Sequence, residues 1–144
     1  MRCDKPVRLL LGLLISLTFF SAKGQLKVSF SSLTVENGLS QNSVISIAQD
    51  STGFMWFGTR QGLNRYDGYR FKIYKSEVKN PASISGVEVN SLLTDAKGTL
   101  WAGTSSGLNL YHAPSDSFVR IKGLSSNNVE SIYQDRDKNL WVGT

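Results

Sequence analysis

The chain has 144 residues, a formal net charge of +5, 40% hydrophobic and 19% charged residues, and one cysteine. That is length for one ordinary domain, and a single cysteine excludes both a disulfide framework and a thiolate metal site. The basic surplus is concentrated at the N-terminus, so charge gives little support to nucleic-acid binding.

Arg2, Lys5 and Arg8 precede an apolar run from Leu9 to Phe20, and Ala22-Lys23-Gly24 then supplies small residues. This pattern predicts a signal-peptide helix over residues 1–24, cleaved before Gln25. The run is about a dozen residues, short of the roughly 20 that a spanning helix needs. Without the leader the chain holds 12 basic and 10 acidic residues, a formal charge of +2, and Cys3 is gone. Cys3 precedes the apolar run, which is not where a lipoprotein cysteine sits.

Lys27-Val28-Ser29-Phe30 alternates polar and apolar residues and leads through Leu33 to the turn signal Glu36-Asn37-Gly38. Residues 25–37 are therefore expected to form an N-terminal strand, of the kind that closes a ring of sheets by completing its last member. Three related segments follow. Asp50-Ser51-Thr52-Gly53-Phe54-Met55-Trp56-Phe57-Gly58-Thr59 returns as Asp95 to Thr104 and again as Asp135 to Thr144, with the tryptophans 45 and 40 residues apart. A period of that size signals a solenoid, a propeller or an array of small sheets.

Each repeat opens on a strand, Val44 to Gln49, Val89 to Thr94 and Val129 to Gln134, whose positions of both parities are apolar or small. That composition suits a strand covered on both faces. The aspartate then closes a tight turn in which Gly53, Gly98 or Lys138 takes the demanding position. A second strand carries the tryptophan and ends at Gly58-Thr59 or Gly103-Thr104. A turn and a third strand ending in Tyr66 or Tyr111 come next, and Tyr69 to Tyr74 reads as a half-exposed outer strand.

Four short strands per repeat, with no amphipathic helix after the leader, predict an all-β fold of β-propeller blades, each a four-stranded antiparallel sheet. The expected parts are blade 1 over 38–79, blade 2 over 80–119 and a truncated blade 3 over 120–144, an open partial propeller of about two and a half blades. Asp50, Asp95 and Asp135 are assigned to turn capping, and Trp56, Trp101 and Trp141 to packing between blades. Gly58, Gly103 and Gly143 complete the set of structural anchors. One residue copied around a ring does not make an active site, which needs different residues converging. No catalytic set, cofactor site or metal site is expected, and His112 reads as a solvated loop residue. Arg60, Arg65 and Arg70, together with Gln61, Tyr69, Ser105 and Ser106, vary between repeats at the loops and are the candidate ligand-binding positions.

The pattern G-L-S-x-N-x-V-x-S-I-x-Q-D-x-x-G-x-L-W-x-G-T-x-x-G-L-N-x-Y-D-G, matched by Gly38 to Gly68, by Ser85 to Tyr111 with Val87 in place of asparagine, and by Gly123 to Thr144, resembles the two-component regulator propeller repeats of bacterial hybrid two-component systems. In that family a signal peptide and two periplasmic propellers precede a β-sandwich, a transmembrane helix and a histidine kinase. The resemblance implies an extracytoplasmic sensor fragment without the kinase, exported to the periplasm, whose parent is anchored in the inner membrane. It further implies an oligosaccharide ligand, a homodimeric parent and further blades as partners, and no nucleic-acid contact by this segment. A free-standing exported propeller that binds a partner is the alternative reading, and a propeller lyase or hydrolase a third.

Overall fold

The computed structural model describes residues 27–144, and the signal-peptide segment 1–24 lies outside the described residues, as do the first residues of the 25–37 segment. Along the described chain run β1 (Val44–Gln49), β2 (Met55–Thr59), β3 (Gly62–Tyr66), β4 (Phe71–Tyr74), β5 (Val89–Thr94), β6 (Leu100–Thr104), β7 (Gly107–His112), β8 (Ser117–Ile121), β9 (Ser131–Gln134) and β10 (Leu140–Gly143). They pair antiparallel in sequence order as β1-β2-β3-β4, β5-β6-β7-β8 and β9-β10. Two four-stranded blades and the inner pair of a third are thus present, the all-β propeller architecture that the repeat implies. The expected boundary at residue 119 falls inside β8.

Two expected strands come out differently. Residues 27–34 form no strand, and Val28 and Phe30 are exposed. Alternation alone does not hold a strand without a neighbour to complete its ladder. Thr34 instead caps a 3-10 turn over Val35–Asn37, with Asn37 Oδ1 accepting from Thr34 N at 2.9 Å. The outer strand begins at Phe71 and not at Tyr69, because Asp67 Oδ1 takes the amides of Tyr69 and Arg70 at 2.8 and 2.6 Å. Amides bound to a side chain are withdrawn from the sheet.

Within each blade a buried polar lattice ties the loop before the first strand to the second and third strands. Ser40 N donates to Asn64 Oδ1 at 2.8 Å, Asn64 Nδ2 donates to Ser40 Oγ at 2.9 Å, and Ser40 Oγ lies 2.9 Å from Thr59 Oγ1. Blade 2 repeats this with Ser85, Asn109 and Thr104 at 2.9, 2.9 and 3.0 Å. In the third repeat Ser125 and Thr144 stand 3.3 Å apart. Thr59, Asn64, Thr104 and Asn109 have no exposed surface. Full satisfaction is what makes such burial tolerable.

Blades meet through the glycine that follows the tryptophan. Gly58 and Gly103 lie inside β2 and β6, not in turns, and are needed for close approach. A Cβ on Gly58 would stand 2.3 Å from Ser46 Oγ of its own blade and 2.6 Å from the Val89 carbonyl oxygen of the next, and one on Gly103 would stand 2.4 Å from Ser91 Oγ and 2.5 Å from Val129 Cγ1. Val89 and Val129 are accordingly fully buried, whereas Val44 is 36% exposed. The opening strands were expected to be covered on both faces. β1 is not: Ile45 and Ile47 are exposed, because among the described residues a blade lies against only one side of it.

Gly58→Ala is expected to destabilise the purified protein by about 1–3 kcal/mol, since a backbone oxygen of the next blade must yield. Ser105→Ala, at an exposed turn, is expected to stay within about 0.5 kcal/mol of the parent. Paired urea melts check both values.

Candidate functional site

The repeated aspartate does more than close its turn. Asp50 Oδ1 accepts from Thr52 N and Phe54 N at 2.9 and 3.1 Å, and Gly53 takes a φ of +94°. Asp95 Oδ1 likewise accepts from Lys97 N and Thr99 N, each at 2.9 Å. In the third copy Lys138 supplies the positive φ, at +68°. The second carboxylate oxygen holds the indole: Trp56, Trp101 and Trp141 Nε1 donate to Oδ2 of Asp50, Asp95 and Asp135 at 2.7, 2.9 and 2.8 Å. Burial pushes the Asp50 and Asp95 carboxyls up, but these hydrogen bonds outweigh it and hold both below the ordinary carboxylate range. Asp135 is lowered by its bonds from Trp141 and Asn139.

The three tryptophans share one hydrogen bond but not one environment. Trp56 is fully buried, Trp101 partly so, and Trp141 is 62% exposed. Trp56 lies between blades, stacked on Tyr74 at 5.5 Å and met edge-on by Tyr111 at 4.7 Å. Phe118 closes the cluster, 5.3 Å from Tyr74.

A polar hub caps this aromatic core. Asp116, in the left-handed region at φ +49°, accepts from Tyr74 OH at 2.5 Å and Tyr111 OH at 2.6 Å. It also receives Lys72 Nζ, and Arg65 Nη1 approaches to 3.4 Å. Tyr74, Lys72 and Arg65 come from blade 1, Tyr111 and Asp116 from blade 2, so one carboxylate joins the two sheets. Partial burial raises the Asp116 pKa, yet the bonds from Lys72, Tyr111 and Tyr74 prevail and bring it down to about 2. Burial, then the hydrogen bond to Asp116, pushes the Tyr74 and Tyr111 phenols up.

The arginines expected to share a ligand loop are dispersed. Arg60 is exposed in the β2–β3 turn, and Arg70 is exposed in the β3–β4 turn. In a sheet of consecutive antiparallel strands those turns lie at opposite edges. Arg65 is in neither: it sits within β3, opposite Trp56 and Lys72, at the interblade hub. Tyr69 is exposed beside Arg70, and Ser105 and Ser106 form the exposed β6–β7 turn. His112 ends β7, exposed, with Nδ1 2.6 Å from Ser115 Oγ. Among the described residues no group of three or more His, Cys, Asp or Glu side chains gathers as metal ligands do. The hub itself escaped sequence reasoning, because Asp116 and Lys72 have no counterpart in the other repeats. Their one visible signal is that departure from the pattern.

Fold and repeated bonding chemistry together define a β-propeller repeat module. Three stretches of the chain, residues 38–61, 83–106 and 123–144, match the family model described as two-component regulator propeller. The chain is similar to the extracellular domain of the hybrid two-component system BT3049 from B. thetaiotaomicron, at 37% identity and a TM-score of 0.72 over 79% of this chain. A second extracellular domain from that organism, of BT4673, shares the fold at 23% identity and a TM-score of 0.64 over 82% of the chain. Among curated proteins, Histidine kinase P4 of Formosa agariphila is 54% identical over 56 residues, 39% of this chain. The chain spans 17% and 18% of the two solved domains and 4% of the kinase.

Because the Asp116 carboxyl is lowered in the folded protein, its contribution is present above pH 4 and is lost as pH falls through about 2. Asp116→Asn is expected to lower stability at pH 7 and to narrow the gap between urea melts at pH 7 and pH 3. An unchanged gap would show that the hub does not carry that acid sensitivity.

Proposed function

We propose that this chain forms part of the extracellular ligand-sensing propeller of a hybrid two-component histidine kinase. It is exported to the periplasm, in a parent anchored in the inner membrane, and it contributes to recognition of an oligosaccharide whose binding is passed on through homodimer contacts. The observation that carries this reading is the 37% identity to the extracellular domain of a hybrid two-component system over 79% of the chain. Strands of this kind form a rigid scaffold on which variable loops recognise ligands. In this reading the chain's own contribution is binding.

A groove of about 340 Å³ between the outer strands of the two blades suits such a ligand. Hydroxyl and amide groups of Ser83, Asn80, Ser115 and Ser117 line it beside the rings of Tyr74 and Phe118. Sugars present hydroxyls at the ring edge, and these polar groups, together with the charged Lys72, Lys75, Glu77 and Asp116 that also line the groove, can answer them. The groove is shallow at its rim, where Ser115 is exposed.

Calorimetric titration of the exported protein with a panel of neutral and charged oligosaccharides tests the reading. At least one is expected to bind saturably, and Ser115→Trp, which fills the groove from an exposed loop, is expected to weaken that binding about tenfold or more with the melting temperature unchanged. A panel without a binder, or a binder indifferent to Ser115→Trp, would remove the groove from the proposal.

A further inference from the structure

At the edge that carries the Asp50 turn, the cleft between blades 1 and 2 opens into a pocket of about 220 Å³. Two of its lining residues break the repeat. Phe54 stands where the other copies have Thr99 and Asn139, and Arg65, opposite Trp56, stands where Leu110 lies opposite Trp101. These two residues touch: Arg65 Cζ is 4.8 Å from the centre of the Phe54 ring. Blade 2 keeps the same strands and the same Trp–Asp bond with leucine and threonine at these positions. The strands and the Trp–Asp bond therefore do not require the arginine–phenylalanine pair.

The hydrogen bonding of Arg65 is one-sided. Its Nη1 donates to Tyr111 OH at 2.8 Å and approaches Asp116 at 3.4 Å, while Nε and Nη2, which form the forked edge of the guanidinium, have no acceptor among the described residues. The side chain is 24% exposed. The nearby carboxylates are already committed. Asp116 receives Lys72, Tyr74 and Tyr111, and both oxygens of Asp50 are taken by Thr52, Phe54 and Trp56. What remains is an incompletely countered cation with a free two-donor edge, walled by the Phe54 ring, Tyr111 and the buried Leu100, with Asp50, its carboxylate already hydrogen-bonded within the turn, also on the wall.

We propose that this pocket binds the oxyanion group of a small organic ligand, a carboxylate or a sulfate, held at two points by Nε and Nη2 of Arg65 with the ligand's apolar face against Phe54. A guanidinium fork matches the spacing of two oxyanion oxygens, and charge-assisted bonds at a partly buried site are stronger than neutral ones. The volume takes a single ring of pyranose size, or one ring of a longer chain. The site differs from the groove that Ser115 borders and stands or falls separately from it.

Titration calorimetry of the purified protein with galacturonate, galactose 6-sulfate, neutral galactose and inorganic sulfate tests this. At least one of the two organic anions is expected to bind, and the better of them tells carboxylate from sulfate. Galactose is expected not to bind, and added salt is expected to weaken the anion's affinity. Arg65→Leu, which restores the residue of blade 2, is expected to reduce the affinity about tenfold or more, and Arg60→Gln to leave it unchanged. In the unsubstituted protein the Arg65 Nε–H resonance is expected to shift on titration, a readout that does not depend on how the variant folds. The proposal is overturned if neither organic anion binds, if galactose or inorganic sulfate binds as tightly, or if the anion binds without moving that resonance.

Discussion

The structure depends on one hydrogen bond made once per repeat, from the indole Nε1 of tryptophan to the outer oxygen of the turn aspartate. An indole placed between two sheets supplies a large apolar surface, but its N–H must still find an acceptor. The aspartate six residues earlier answers it with Oδ2 while Oδ1 gathers the amides of the turn. Turn geometry and core packing are thereby fixed by the same side chain. The bond has nearly the same length at Trp56, which is buried, and at Trp141, which is largely exposed. It is therefore local to the hairpin and in place whether or not a neighbouring blade covers the ring. Each blade can present a finished surface to the next.

That finished surface accounts for the second constraint. The glycine two residues after the tryptophan leaves a bare patch of backbone, on which the serine of its own blade's first strand lies and, at Gly58 and Gly103, the valine that opens the next blade lies as well. No larger residue fits, so the glycine recurs for contact and not for backbone freedom. The serine, threonine and asparagine of each blade meanwhile hold the entering loop against the second and third strands. Much of the repeat is thus a list of contacts, in which aspartate and tryptophan bond, glycine leaves a space and valine fills it.

Most of this architecture was open to sequence reasoning, because spacing and composition reveal strands and turns. The turns closed by aspartate and the four-stranded blades follow from periodicity; of the three tryptophans assigned to packing between blades, Trp56 is buried there and Trp141 is largely exposed. The partnerships were hidden. That Asn64 serves Ser40 and Thr59, or that Asp50 serves Trp56, requires knowing which side chains face each other across strands. The N-terminal segment misled for the converse reason: Val28 and Phe30 alternate as a strand does, but a strand is defined by its neighbour. Arg65 misled because variability between repeats was equated with a loop position, whereas a strand residue facing the cleft between blades is equally free of the consensus.

That last point bears on how a propeller of near-identical blades acquires individuality. Where the repeat holds, each interface is interchangeable. Where it departs, as at Arg65, Lys72, Tyr74 and Asp116, the interface becomes particular to one pair of blades. Leu110, Val119 and Ile121 occupy the places in blade 2 that Arg65, Lys72 and Tyr74 hold in blade 1, so the outer strands of blade 2 present apolar groups where those of blade 1 present charge and phenol. Blade 2's Asp116 would find no cation or hydroxyl on such a face. Desolvating it there without partners would be costly, which disfavours docking of blade 2 against a face like its own. Polar departures from an otherwise apolar repeat thus make this junction particular to its two blades, and they gather Arg65, Lys72, Tyr74 and Asp116 in one cleft.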